Sequence, residues 1–159
     1  MRAFALTIAF VVGLSSVAFA DDDGDLRWGI SIWGLSYHVN RTIDYDEANL
    51  GVGLRFYLNR YVFVEADALR NSNRGITLPS SVGIEFGIGS LSRACRLSAV
   101  GALTIAYYQN PRTETDYFKV GPVPGMSVTC GRVKTNVVAI LSPSQQPLAA
   151  LVVSLTIRF

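Results

Sequence analysis

The chain has 159 residues, half of them hydrophobic, with fourteen basic residues against twelve acidic ones. So even a balance excludes a nucleic-acid partner, which needs a strong basic excess, and the length makes a single domain. With one histidine and two cysteines, and no Cys-x-x-Cys pair, neither a metal centre nor another cofactor is expected.

Met1-Arg2 opens the chain with a positive charge, and residues 3–17 are apolar or small, without charge. Ala18-Phe19-Ala20 then has the small-x-small form of a signal peptidase site, followed abruptly by Asp21-Asp22-Asp23. This pattern predicts a secretory signal peptide over residues 1–20, cleaved after Ala20, and a mature domain over residues 21–159. The apolar run is too short to span a hydrocarbon core of ~30 Å, and no later stretch reaches the ~18 continuous apolar residues of a membrane helix. An exported, apolar chain without a spanning helix is either a soluble β-sandwich or a membrane β-barrel.

Period-two alternation recurs along the mature chain and predicts strands. Leu50, Val52, Leu54, Phe56 and Leu58 share one face, with Gly51, Gly53, Arg55 and Tyr57 on the other. Val62, Val64, Ala66 and Ala68 oppose Tyr61, Phe63, Glu65 and Asp67; Val82, Ile84, Phe86 and Ile88 oppose Ser81, Gly83, Glu85 and Gly87. Leu97, Ala99, Leu103 and Ile105 oppose Arg96, Ser98, Ala102 and Thr104, and the last run sets Leu151, Val153, Leu155, Ile157 and Phe159 against Ala150, Val152, Ser154, Thr156 and Arg158. The expected strands are 26–38, 50–58, 61–70, 78–88, 95–108, 117–130, 133–141 and 148–159. In the first, Trp28, Ile30 and Ile32 are in phase, but Leu35 and Tyr37 are not; a bulge at Trp33-Gly34 or a strand leaving the bilayer accounts for the break.

A soluble sandwich hides its aliphatic faces and shows the polar ones to water; a membrane barrel does the reverse. Three features favour the barrel. Charges of both signs lie on the polar faces (Glu65, Asp67 and Glu85 against Arg55, Arg96 and Arg158), as a paired network inside a narrow lumen requires. Tight turns at 58–60 and 130–132 alternate with longer polar connections at 40–49, 71–77, 109–116 and 142–147. The chain ends on Phe159 with apolar residues at alternate positions before it, like the C-terminal signature read by the outer-membrane barrel assembly machinery. The expected fold is therefore all-β: an up-and-down, eight-stranded antiparallel transmembrane β-barrel, integral to the bacterial outer membrane. Eight strands leave an interior filled by side chains or holding one small ligand, which argues against an open porin.

Cys95 begins the fifth strand and Cys130 ends the sixth, so antiparallel pairing brings them together. In an exported chain a disulfide is expected rather than a metal site. Gly51-Val52-Gly53 reads as a place of close strand approach, not a phosphate loop. At the predicted outer rim, His38 closes the first strand, and Asn71-Ser72 closes the third with Arg70 and Arg74 beside it. A histidine able to take the proton of a serine hydroxyl is the minimal acyl-transfer arrangement, and Asn71 would orient the ring or donate to an oxyanion. Rim polarity alone also explains these residue types.

Ser36-Tyr37-His38, Tyr45-Asp46-Glu47 leading into Gly51-Val52-Gly53, and Ala66-Asp67-Ala68-Leu69-Arg70-Asn71-Ser72 together resemble the lipid A palmitoyltransferase (PagP) family over most of the mature chain. The resemblance implies palmitate transfer from phospholipid to lipid A, with His38, Asn71 and Ser72 at the catalytic positions and Arg70 or Arg74 near lipid phosphates. Gly121-Pro122-Val123-Pro124 and Leu141-Ser142-Pro143 fall where that family carries prolines, which remove ladder hydrogen bonds. The resemblance thus implies a lateral lipid gate at Pro122, Pro124 and Pro143. The chain departs from the family in carrying Asn71 where the family has aspartate, in a shorter first loop, and in having only residues 21–25 where the family has an amphipathic helix.

The expected partners are outer-membrane lipids, phospholipid and lipopolysaccharide. Two functions follow: acyl transfer to lipid A, or a non-catalytic barrel acting as adhesin, envelope stabiliser or lipid binder. A lipid A deacylase needs a histidine on the late strands, and none follows His38. An outer-membrane phospholipase needs a larger barrel.

Overall fold

The computed structural model describes residues 27–39, 45–142 and 146–159. The expected signal peptide, Leu26 and Pro143 lie outside the described residues. Eight strands follow one another: β1 (Trp28–His38), β2 (Ala48–Tyr57), β3 (Val62–Arg70), β4 (Ile76–Ser92), β5 (Cys95–Asn110), β6 (Thr115–Cys130), β7 (Val133–Ser142) and β8 (Gln146–Arg158). Each pairs antiparallel with the next, and β8 returns to pair with β1, so the sheet closes into a barrel in which strand order is chain order. No helix occurs among the described residues.

The alternation expected of each strand is present, and its polarity is inverted relative to a soluble protein. Leu50 is 68% exposed and Val82 58%, whereas Arg55 is 3% exposed and Lys134 2%. Aliphatic side chains cover the outside and charged ones fill the inside. β1 keeps this rule through a bulge: its pairing with both β2 and β8 shifts register between Trp33 and Leu35. Gly34 is the extra residue, so Leu35 and Tyr37 return to the outward face of Trp28, Ile30 and Ile32, and Ser36 turns inward, fully buried. The phase break is thus a bulge, and the strand stays in the wall.

Both described ends of the chain meet at one rim, where Trp28 N donates to Phe159 O and Phe159 N to Trp28 O. The short connections 58–61, 93–94 and 131–132 share that rim, and Gly131 supplies the positive φ of 56° that the last of them needs. At the opposite rim two connections are shorter than expected. The turns at 71–75 and 111–114 are tight because β4 starts at Ile76, β5 runs to Asn110 and β6 starts at Thr115. Strand pairing overrides the local polarity of these segments, since each added residue satisfies backbone hydrogen bonds in the ladder.

A brace of buried polar groups crosses the lumen in the half nearer the chain ends. Arg55 donates to Glu65 at 2.7 Å and to Asn136 Oδ1 at 3.4 Å, and Glu65 also accepts from Ser31. Asn136 Nδ2 donates to Thr156 Oγ1 and Ser154 Oγ. Two residues along the same strands, Lys134 donates to Tyr57 Oη at 2.7 Å and to Glu85, while Ser127 donates to Glu85 at 3.2 Å. β2 and β7 are not neighbours in the wall, yet their side chains meet, so the brace occupies the cross-section. The network differs from the expected one in its cation. Glu85 pairs with Lys134, which lies on the inward face of β7, while Arg96 is exposed near the short-turn rim and Arg158 lies over the Tyr57 ring at 5.1 Å.

Higher in the lumen, Trp33 Nε1 donates to Asp67 Oδ1 at 2.8 Å. Gly53 makes room for that carboxylate, because a Cβ there would overlap it, and Gly83 does the same for the Phe63 ring. Cys95 and Cys130 face each other across β5 and β6 and form the expected disulfide.

Breaking one member of the brace leaves an uncompensated buried charge. Glu65→Ala is expected to cost about 3–5 kcal/mol, read as a fall in the urea midpoint of the folded barrel. The double change Arg55→Met, Glu65→Leu should recover most of that loss, since it removes both charges and restores volume.

Candidate functional site

The rim opposite the chain ends is drawn together by the segment leading into β2. Ser36 N donates to Glu47 O at 2.9 Å, and Asp46 N donates to Ser72 O at 3.0 Å. Residues 45–47 therefore lie between the end of β1 and the β3–β4 turn. The His38 ring stacks on Tyr45, with centroids 4.2 Å apart and planes 14° from parallel. Asn49, buried on the inward face of β2, donates to Ser36 Oγ at 2.7 Å and to Ser72 Oγ at 3.0 Å, and Ser72 Oγ in turn donates to Asn49 Oδ1 at 3.3 Å. A chain of polar groups thus runs from Ser36 of β1 through Asn49 of β2 to Ser72 at the start of the β3–β4 turn; His38 is two residues beyond Ser36 on β1.

Asn71 faces the other way. Its Oδ1 accepts from the backbone N–H groups of Asn73 and Gly75, each at 3.0 Å. Its Nδ2 donates to Gln109 O at 2.8 Å, Thr77 Oγ1 at 3.1 Å and Ile76 O at 3.3 Å. This is an asparagine folding its own turn and tying it to β5. Gly75 is required beside it, since a Cβ would strike Gln109 O. The structure brings Ser72 and the β1 rim together through Asn49, while the Asn71 amide is committed to the turn on the β4 side.

Arg70 reaches Asp46 at 3.7 Å on the exposed rim. Arg74 sits exposed at the turn tip with φ 70°, a left-handed conformation that the turn imposes. No inward role was expected for Asn49, nor for Ser36, which the sequence showed only as part of Ser36-Tyr37-His38. Asn49 is in phase with Arg55 and Gly53, so alternation carried a signal for it; Ser36 becomes inward only when the Gly34 bulge is counted.

As arranged, the hydroxyl of Ser72 bonds to a neutral amide, which holds its position but accepts no proton from it. Nucleophilic chemistry at Ser72 therefore needs a base other than Asn49.

The second feature is in the wall. β6 pairs with β5 without interruption from Cys95↔Cys130 to Asn110↔Thr115. Its pairing with β7 runs only from Cys130↔Val133 to Gly125↔Val138, although β7 continues to Ser142 and β6 to Thr115. Residues 115–124 of β6 thus have an edge without β7 pairing among the described residues. Pro122 and Pro124 lie on it, both exposed. Two prolines at alternate positions withhold their N–H groups on the same side, and the unbroken β5 ladder makes that the β7 side. A shorter interruption occurs between β3 and β4, where pairing skips from Ala66↔Ser80 to Leu69↔Thr77 around Pro79.

The role of Asn71 is open to a direct test. Asn71→Asp replaces the donating amide by a carboxylate aimed at two carbonyl oxygens. It should destabilise the barrel by roughly 2–4 kcal/mol, seen as a lower urea midpoint, without raising any activity of the rim; an increase in activity at unchanged stability would refute the structural role. No family model matches the sequence and no curated protein is significantly similar to it, so the geometry of the rim and of the β6–β7 seam carries the functional argument.

Proposed function

We propose that this chain is an integral outer-membrane β-barrel that takes the acyl chains of envelope lipids sideways through the β6–β7 seam. The single observation that carries the reading is the half-open seam itself. Both strands continue past Gly125↔Val138, yet the ladder between them does not. In a bilayer an unpaired backbone edge is costly unless it lines a cavity or contacts a polar ligand, so a retained opening calls for a purpose.

The bilayer setting is supported by the inverted polarity of the wall and by aromatic pairs at two levels. Trp28 packs against Phe56 and Tyr61 against Phe86 toward one end, and Tyr107 packs against Phe118 on the outer face toward the other. Phe86 is level with Ala99, and the climb along β5 from Ala99 to Tyr107 is about 20 Å at 3.3 Å per residue and a tilt of ~40°. That is close to the ~25 Å apolar band of an outer-membrane barrel, flanked by its aromatic girdles.

A more specific reading is acyl transfer from phospholipid to lipid A, as the resemblance to the palmitoyltransferase family implies. The specific observation in its favour is the rim assembly, in which the Asn49 amide bonds both Ser72 and Ser36, two residues from His38 on β1. In this scheme Ser72 Oγ attacks the phospholipid ester carbonyl while His38 takes its proton; the ester C–O bond breaks and lysophospholipid leaves with that proton. A lipid A hydroxyl then takes the acyl group from Ser72, its own proton returning to Ser72 Oγ through His38. Asn49 positions the Ser72 hydroxyl. Asn71 is left out of the chemistry.

Three measurements test this. The mature protein should fractionate with the outer membrane and run heat-modifiably on a gel; recovery as a soluble periplasmic species would end the membrane reading. Val123→Cys with Ile140→Cys, bridged by a short bis-maleimide across the seam, should stop lipid uptake while the unbridged variant retains it. Mass spectrometry of lipid A from cells with and without the protein separates the enzyme from the binder, because only acyl transfer adds the mass of a chain. His38→Ala and Ser72→Ala should each remove that mass while heat-modifiability persists.

A further inference from the structure

Lys119 lies on the edge of β6 that has no β7 pairing among the described residues, opposite Ala106 of β5. Its neighbours Phe118 and Val120 point outward and are 70% and 66% exposed, so alternation puts Lys119 on the lumen side of the seam, yet it too is exposed. Its ammonium sits astride two tyrosines, 5.7 Å from the Tyr108 ring centroid and 5.6 Å from that of Tyr117. Those rings stack on each other at 5.5 Å, with planes 12° apart. Both distances fall within cation–π range. No carboxylate is paired with Lys119 among the described residues. The acid nearest to it in sequence, Asp116, is on the outward phase and accepts from Tyr107 Oη at 2.6 Å.

The height of this group matters as much as its charge. Tyr107, Tyr108, Tyr117 and Phe118 form the outer aromatic level, and Lys119 is two residues below Tyr117, about 5 Å at the pitch and tilt of a barrel strand. A lipid moving sideways through the seam keeps its acyl chains in the apolar band and its phosphoryl group at the interface. An ammonium at the edge of the seam at this level meets that group first. The ring pair restricts the side chain beforehand, so less of its freedom is lost when it binds.

We propose that Lys119, held beside the stacked Tyr108 and Tyr117 rings at the outer part of the β6–β7 seam, binds the phosphoryl group of a lipid headgroup. The inference rests on the lateral-entry reading above and names the chemistry that reading selects. The ligand is a phosphomonoester or phosphodiester carrying acyl chains, recognised by a charge-assisted hydrogen bond to Nζ.

The test uses the purified, folded barrel in detergent, titrated with a short-chain phosphatidylglycerol, a diacylglycerol of the same chains, and inorganic phosphate. The wild type should bind the phosphatidylglycerol at least about tenfold more tightly than the diacylglycerol, the scale of one charge-assisted hydrogen bond. Lys119→Ala should bring the two lipids level without weakening the diacylglycerol, and Lys119→Arg should keep the preference. Heat-modifiability confirms that each variant is folded. A preference that survives Lys119→Ala overturns the assignment, as does equal binding of both lipids by the wild type, and in either case lateral entry stands. If the wild type binds neither lipid, lateral entry falls and Lys119 with it. Tight binding of inorganic phosphate that disappears in Lys119→Ala would make this a free-phosphate site and overturn the lipid assignment.

Discussion

The structure depends on backbone hydrogen bonds that must be closed on themselves. A strand at the margin of an open sheet leaves a row of N–H and C=O groups without partners, and the pairing of β1 with β8 removes that margin. Everything else in the wall follows from this closure. It sets the phase of each strand, fixes which residues face the lumen, and gathers the short turns and both described ends at one rim. The seam between β6 and β7 stands out because it is the long departure from the rule, and because prolines on β6 keep the ladder from zipping further.

Closure also creates the interior problem that the buried charges solve. Inward positions of an eight-stranded barrel enclose little space, so long side chains placed there must reach across and find partners. Arg55 with Glu65, and Lys134 with Glu85, do so at adjacent levels, and Tyr57, Asn136, Ser31 and Thr156 fill out their hydrogen bonds. The half of the lumen near the chain ends is consequently a polar core. The upper half is left to Trp33, Asp67 and the small residues of β5 and β6, beside the seam and below the rim.

At that rim the division of labour between neighbours is decided by which way two adjacent amide-bearing segments turn. Asn71 and Ser72 are consecutive, but Asn71 folds the β3–β4 turn and grips β5, while Ser72 meets Asn49. An aspartate at position 71 would find two carbonyl oxygens where the asparagine finds acceptors for its N–H groups. The asparagine is thus the residue this turn requires, whatever the rim does.

The amino-acid sequence by itself determined the strand content, the eight-fold count, the division of each strand into two alternating faces and the pairing of Cys95 with Cys130. Each of these is local or nearly so: a side chain on a strand has two directions to choose from, and antiparallel neighbours fix who stands opposite whom. Alternation does not say which face is inside. The tertiary closure decided that, and with it the partner of Glu85, because Lys134 comes to it from a strand that alternation cannot relate to β4. The Gly34 bulge returned Leu35 and Tyr37 to the outer face and turned Ser36 inward, a shift of one residue that only the two flanking ladders reveal. Likewise, sequence put His38, Asn71 and Ser72 at one rim, but the three-dimensional packing sent Asn71 into its turn and brought Asn49 to Ser72. Contacts between strands distant in the chain depend on the shape of the whole barrel, which no local pattern contains.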